Sequence, residues 1–485
     1  MEPRQTEELL QLHLRNNDLP QDEPPSWRIE RSPLSGRGMF ATRDIRVGEL
    51  IFTDAPLLLG PRCYNKCLPM CVVCYKNDCP LFPCDHGCGL PICSTECESS
   101  EVHARAECRF LQEWQPTCGS TWSKDLLLTV VLIRSLALSQ EQRRVLAIFQ
   151  CHSNFVPNYE IDLLKRNVTH LPSEEQLAFM KRTSEVFNTN SFEVVVMRDE
   201  DRTVSLRGLY PTGAMQNHCC VPNTRHHFDN QRRLHVSAAM PIAAGEELTM
   251  SYTNLLWDTR NRRRFLQATK HFSCNCSRCS DPLEFGSRLG ALLCAKDSCS
   301  GHLFPRDPLS HKSSWTCNKC QTGVNYRQIE SIRSVLNAFV LEAACNAPRE
   351  FPRFVEMTLP KLIPTSNYIM MDAKYRVISY FGRIPDLTWD DLTDEELRIK
   401  KAFCYDVLSS LDVLNSGDSI KKGLILYELY RTNLELSKRQ TSRDDNQQTH
   451  QHVKVRQSDD NERLLRKAMS ILQNDVGATL VRRSD

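Results

Sequence analysis

The sequence predicts an α+β multidomain protein: a β-rich unit split by a metal-binding finger, then two further cysteine modules, then an α-helical C-terminal domain. Three observations predict it. At 485 residues the chain is too long for one compact core. Its 23 cysteines are clustered rather than spread. Strand-like segments up to Tyr252 give way to helical periodicity from Asn325 onward.

Taken in order, residues 1–25 are polar, carry Pro20, Pro24 and Pro25, and read as a flexible arm. Residues 26–62 alternate as short strands, with Gly36, Gly38 and Gly48 at turns. Residues 63–108 hold ten cysteines and little apolar area, so metal must supply their stability. Residues 109–185 form a helical insert whose apolar face is Leu126–Leu128, Val130–Ile133 and Leu136. Strand signals return from Val194 to Tyr252, within a segment 186–265. Residues 266–285 and 286–324 carry two more cysteine clusters. Residues 325–485 are helical; Val407, Leu408, Leu411 and Leu414 share one face, as do Leu465, Ala468, Met469 and Leu472. Within that tail the polar stretch Lys438–Glu462 reads as a flexible loop.

Charge and patterning exclude several functions. A net charge of +2 gives no global field toward nucleic acid or an anionic membrane. The basic run Arg260, Arg262, Arg263, Arg264 reads as a solvated helix face. Met1–Pro20 lacks the apolar run of a signal peptide, and the apolar stretch Leu126–Leu138 is too short to span a bilayer and contains Arg134. Many cysteines without an export signal point to reduced thiolates holding metal, and so to cytoplasm or nucleus.

The first cluster reads Cys71-x2-Cys74, Cys84-x3-Cys88, Cys93-x3-Cys97 and His103-x4-Cys108, enough donors for two tetrahedral zinc sites. Cys63 and Cys67 have pair-like spacing too and are spares. The second, Cys274-x-Cys276-x2-Cys279, is one ligand short; distant Cys220 completes it, with nearby His271 as the alternative. The third, Cys294-x4-Cys299 and Cys317-x2-Cys320, has the form of a zinc ribbon, with Leu303 and Trp315 placed to pack beneath it. The total is about four zinc ions.

Three further segments join these clusters: Ser35-Gly-Arg-Gly-Met-Phe near the N-terminus, Asn217-His-Cys-Cys-Val-Pro-Asn223, and Gly245-Glu-Glu-Leu-Thr-Met-Ser-Tyr252. In this order, with a finger after the first and the Cys274 cluster after the last, the chain resembles the SET-and-MYND (SMYD) family of lysine methyltransferases, in its arthropod-type branch. The resemblance covers residues 26–322. It makes 26–62 and 186–265 the two parts of a SET domain, 63–108 a MYND finger, 109–185 a helical SET insert and 266–285 a post-SET zinc cluster. It implies interleaved finger ligands: Cys71, Cys74, Cys93 and Cys97 on one ion, Cys84, Cys88, His103 and Cys108 on the other. Two finger spacings are one residue longer than the family's, so Cys79 or His86 could replace a ligand.

The resemblance also implies S-adenosylmethionine as cofactor. Arg37 and Gly38 would meet its methionine end, with Asn190, Asn217 and His218 as further contacts and Phe272 stacking on adenine. Tyr252 would be the catalytic residue and would also touch the cofactor. That chemistry needs a neutral amine aligned with a sulfonium methyl. A dry channel lowers the pKa of lysine from about 10.4, and a phenol oxygen at its end orients the partners. Two departures stand out: Cys219 replaces the family's usual serine, and Lys270 stands where active members often place a second channel tyrosine. Lys270 could occupy the channel or repel a substrate amine. The expected partners are a histone or non-histone protein bearing a target lysine, and proline-containing peptides at the finger. No membrane or direct nucleic-acid partner is expected. The alternative to an enzyme is a SET/MYND adaptor without turnover in a repressor-type assembly.

Overall fold

The computed structural model describes residues 1–62, 69–152, 158–199, 202–444 and 451–472; Cys63 and Cys67 lie outside the described residues. Strand β1 (Trp27–Arg31) buries Trp27 and Ile29 and turns back on β2 (Arg37–Ala41) through Gly36, whose φ of +55° favours glycine. Strands β3 (Leu50–Asp54) and β4 (Leu58–Pro61) follow, and the finger adds the small hairpin β5 (Phe82–Pro83) and β6 (Pro91–Ile92). After the helical insert come β7 (Phe192–Asp199), β8 (Arg202–Leu209), β9 (Asn217–His218), β10 (Thr224–Phe228), β11 (Leu234–Ala238) and β12 (Glu247–Met250).

These strands make three small sheets, ordered β1-β2-β12-β9, β10-β11-β3 and β4-β8-β7. The parallel pairing of β9 with β12 matters most. It sets Asn217 opposite Thr249 and His218 opposite Met250, so two segments far apart in sequence converge beside Tyr252.

The insert helix Lys124–Ser135 is buried on nearly every side from Leu126 to Ile133, as an all-round apolar pattern requires. The helix Glu174–Asn190 starts at a capping box in which Ser173 and Gln176 satisfy each other's backbone, and it ends at the cleft described below.

Two expectations need correction. The N-terminal arm contains the helix Pro3–Asn16, which buries Leu9, Leu10 and Leu14 in the first core. Its polar outer face concealed a narrow apolar stripe. The stretch Lys438–Glu462 is largely helical: the helices Ile420–Asp444 and Gln451–Leu472 run into it from both ends, and residues 445–450 lie outside the described residues. Polar residues such as Gln, Arg and Lys are good helix formers, and each helix propagates from a packed end, near Leu429 in one and Ile471 in the other.

Two cores result. One runs from Leu9 to Leu248; the other, from Leu256 to Leu472, includes Leu303 and Trp315 beneath the ribbon and Val407, Leu408, Leu411 and Leu414 of the tail. Between them lies a small cluster of Cys220, Leu266, Cys274 and Cys279. The tail is tied to the strands by polar contacts: Arg333 grips Asp258 at 2.5 and 3.0 Å, and the Asp418 amide donates to the Ala239 carbonyl at 2.7 Å. Among the described residues, no helix is long and apolar enough to cross a membrane.

Candidate active site and metal centres

The cysteines assemble into four quartets: Cys71, Cys74, Cys93, Cys97; Cys84, Cys88, His103, Cys108; Cys220, Cys274, Cys276, Cys279; and Cys294, Cys299, Cys317, Cys320. Tetrahedral bonds of about 2.3 Å put sulfurs about 3.8 Å apart. The pairs fit that spacing: Cys74–Cys93 3.4 Å, Cys84–Cys108 3.9 Å, Cys220–Cys279 3.5 Å and Cys299–Cys317 3.7 Å. A disulfide would bring them to about 2.05 Å. The donor sets fit zinc. Cys79 and His86 stand outside both finger quartets, and Cys220, not His271, joins the third.

Sequence reasoning missed the supports of two quartets. In the finger, fully buried Glu107 accepts from Arg134 at 2.7 and 2.9 Å and lies 3.2 Å from Nδ1 of His103, leaving Nε2 of the ring for the metal. Glu107→Gln is expected to weaken zinc at that quartet by about 10- to 100-fold, read by competition with a chelator. At the third quartet the basic run turns inward. Arg262 is fully buried, and its Nε donates to Cys220 Sγ at 3.2 Å while Nη2 donates to Cys279 Sγ at 3.5 Å. Arg263 is buried too and donates to the Cys274 carbonyl. The expectation of a solvated face fails for these two because Arg262 meets two quartet sulfurs and the Glu284 carboxylate, and Arg263 meets the carbonyls of Cys274 and Leu309.

The third quartet lines the cleft directly with Cys274 and Cys276, and it also reaches the cleft through a histidine. The Tyr252 amide donates to His218 Nδ1 at 3.0 Å, so the ring proton sits on Nε2, 3.2 Å from Cys220 Sγ. Burial, helped by Arg262 and Arg278, pushes the His218 pKa down to about 4, so the ring stays neutral. A quartet sulfur, that of Cys220, thereby positions the backbone of Tyr252 through His218.

The cleft itself has a volume of about 340 Å³. Arg37, Asn190, Asn217, His218, Tyr252 and Phe272 all line it. Asn217 Nδ2 donates to Glu247 at 2.7 Å and to the Arg37 carbonyl at 3.0 Å. Gly38 does not line the cleft; a Cβ there would collide with the Glu247 carboxylate and crowd Asn217, so the missing side chain admits that contact. Phe272 is 36% exposed at the rim, its ring 6.0 Å from that of His218, which leaves a face free to stack. The wall Ile148–Gln150 was not foreseen. It follows a helix and carries no motif, yet Arg37 donates to the Ile148 carbonyl at 2.5 Å and Asn190 to the Gln150 carbonyl at 2.9 Å.

A second cavity of about 180 Å³ adjoins the first. Thr189, Asn190, Ala214, Tyr252 and Lys270 line both, so they form the junction. The Tyr252 hydroxyl donates to the Gln216 carbonyl at 2.6 Å, which leaves its oxygen lone pairs as what it offers nearby groups. Burial raises its pKa, so it stays a phenol. Cys219 is outside the quartet, its sulfur 3.5 Å from the Val221 amide. No described residue beyond Cys276 lines either cavity.

Comparison with known proteins agrees with this architecture. The SET domain family model matches residues 36–253. SET domain-containing protein SmydA-8, isoform B, of Drosophila melanogaster is 34% identical over 433 residues, covering 87% of this chain and 94% of that protein. The chain belongs to the SET-and-MYND family, in its arthropod-type branch. More distant relatives include histone-lysine N-methyltransferase ASHR1 of Arabidopsis thaliana, 26% identical over 69% of this chain and 72% of that protein. N-lysine methyltransferase SMYD2 of Homo sapiens is 26% identical over 51% of this chain and 59% of that protein. In family terms, the split SET domain surrounds the cleft and the third quartet is the post-SET cluster.

Proposed function

We propose that this SET-and-MYND protein is an S-adenosylmethionine-dependent protein-lysine N-methyltransferase whose four quartets hold zinc. The observation that carries the reading is the meeting of two cavities at Tyr252, one lined by the Asn217–His218 strand and Phe272, the other reaching the opposite face of the same junction. A volume of about 340 Å³ lies within the range of small-molecule sites. The relatives SMYD2, an N-lysine methyltransferase, and ASHR1, a histone-lysine N-methyltransferase, support the reaction class.

S-adenosylmethionine, when bound, supplies an electrophilic methyl group on a sulfonium. The chain's part is alignment and exclusion of water. Arg37, Asn190, Asn217 and His218 form the walls for the donor, with Phe272 as the stacking face. Tyr252 holds its hydroxyl proton on Gln216 and presents its oxygen at the junction. Zinc in the quartets would have a structural part only; at the third, Cys220 Sγ holds His218 Nε2, and His218 Nδ1 accepts the Tyr252 amide. The protein would act in cytoplasm or nucleus, on a histone or another protein, with the MYND finger free to hold proline-containing peptides.

Tyr252→Phe is expected to lower total methyl incorporation from a labelled donor by roughly 100-fold, the scale seen when one preorganised polar group is removed. Donor binding and fold should be unchanged, because the phenol proton serves only Gln216. Equal incorporation would remove Tyr252 from the mechanism. A second reading, an adaptor without turnover, is favoured by one observation: the Lys270 amine stands at the junction itself. Tight donor binding with no methyl incorporated anywhere would select it.

A further inference from the structure

Lys270 is the last residue of the helix at Thr259–Thr269 to keep helical backbone, and its side chain reaches the junction of the two cavities. Nζ donates to the Thr189 carbonyl at 2.5 Å and lies 5.4 Å from the centroid of the Tyr252 ring. Among the described residues it has no carboxylate partner. The acid facing it across the smaller cavity, Glu193, is engaged by Arg62 and by the Ser205 hydroxyl at 2.9 Å. Arg207 is the charge that acts on Lys270; His226 and His218 are held neutral by burial, Tyr252 stays a phenol with burial and then the Glu247 carboxylate raising its pKa, and Cys274 and Cys276 line the larger cavity. Burial, with the Arg207 charge adding to it, lowers the Lys270 pKa to about 8.

These observations describe a desolvated amine, tethered beside a phenol, where a donor cleft opens into an acceptor cavity. We propose that Lys270 is itself a methyl acceptor, modified in cis by the site it lines. The proposal rests on the methyltransferase reading above and names a substrate for it: this chain. An acceptor attached two residues before the donor-stacking Phe272 loses little translational freedom on reaction, and such tethering is worth effective concentrations of about 10⁵ M or more. A foreign lysine would first have to displace it.

The step balances simply. The Lys270 nitrogen lone pair forms a bond to the sulfonium methyl carbon, the carbon–sulfur bond breaks with its electron pair left on sulfur, and a proton leaves the methylated amine for water. Before that, the arriving sulfonium must drive a proton off Lys270, because a second positive charge at the junction disfavours the ammonium form.

The test uses full-length, zinc-loaded protein and S-adenosylmethionine carrying a deuterated methyl group. Peptide mass spectrometry is expected to find the label on Lys270, with a first-order rate constant that does not change when the protein is diluted. Calorimetry in buffers of different ionisation enthalpy should show proton release on donor binding that vanishes in Lys270→Met and with the uncharged thioether product. Donor binding without label on Lys270 would overturn the self-transfer and leave the methyltransferase reading standing. A rate that falls on dilution would overturn transfer in cis. Failure to bind the donor at all would overturn both readings together.

Discussion

Replacing Cys220 by serine is expected to remove one zinc of four and to abolish donor binding, although residue 220 does not line the donor cleft. Three losses coincide there. The third quartet keeps only three thiolates, and a structural zinc site in small domains is worth roughly 10 kcal/mol or more of folding free energy. The His218 Nε2–H loses the sulfur that holds it at 3.2 Å, and with it goes the anchor for the Tyr252 amide. Arg262 loses the nearer of its two sulfur acceptors while remaining fully buried. Arg262 keeps Glu284 and Cys279, so this loss is that of one charged hydrogen bond, about 1.5–3 kcal/mol. The measurement pairs metal analysis with calorimetric donor binding. Cys294→Ser is the control: it should also release one zinc, from the ribbon, but should leave donor binding intact because no ribbon residue touches the cleft. If both variants bind donor equally well, the link from zinc through His218 to the cleft is wrong.

The metal framework and the centre of the cleft were legible in the sequence because their chemistry demands particular residues at short spacings. Cys71-x2-Cys74 announces itself without any knowledge of the fold, and Asn217-His218 was readable through the resemblance to the family. What was illegible depends on distant partners. Arg262 reads as a surface charge until Cys220, some forty residues earlier, is seen to place a sulfur against it. Glu107 and Arg134 look like ordinary polar residues, the second even an interruption of an apolar helix, until they are seen to steer His103. Gly38 matched a motif by position, yet its service is to let Asn217 and Glu247 meet. The wall Ile148–Gln150 works through backbone carbonyls, which no side-chain pattern can reveal. Lys270 is the reverse case: the resemblance to the family pointed to its position, and its desolvated place at the junction came only with the fold.

Glu284→Ala should destabilise the chain heavily while sparing every metal ligand. One carboxylate there serves three donors and is the countercharge that two buried guanidiniums share. Its Oε2 accepts from Arg262 at 2.6 Å and from the Nε of Arg278 at 3.1 Å, and both guanidiniums are fully buried. Its Oε1 accepts the Thr259 amide at 2.9 Å, one of the unpaired donors at a helix start. Without Glu284 the two guanidiniums repel each other across a dry space. Arg262 keeps the zinc-bound sulfurs, but Arg278 retains only carbonyls, those of Cys220, Leu255 and Trp257. The expected cost is about 3–5 kcal/mol, the range for breaking a buried ion pair by removing one partner. It should appear as a lowered urea midpoint for the loss of structure around the post-SET cluster. The thiolates carry the remaining countercharge in this variant, so stripping zinc with a chelator should lower its midpoint further than it lowers that of the wild-type chain. Glu284→Gln keeps an acceptor for Thr259 and removes the charge, and should fall between the two. Equal midpoints for all three proteins would mean that the zinc thiolates alone balance both arginines.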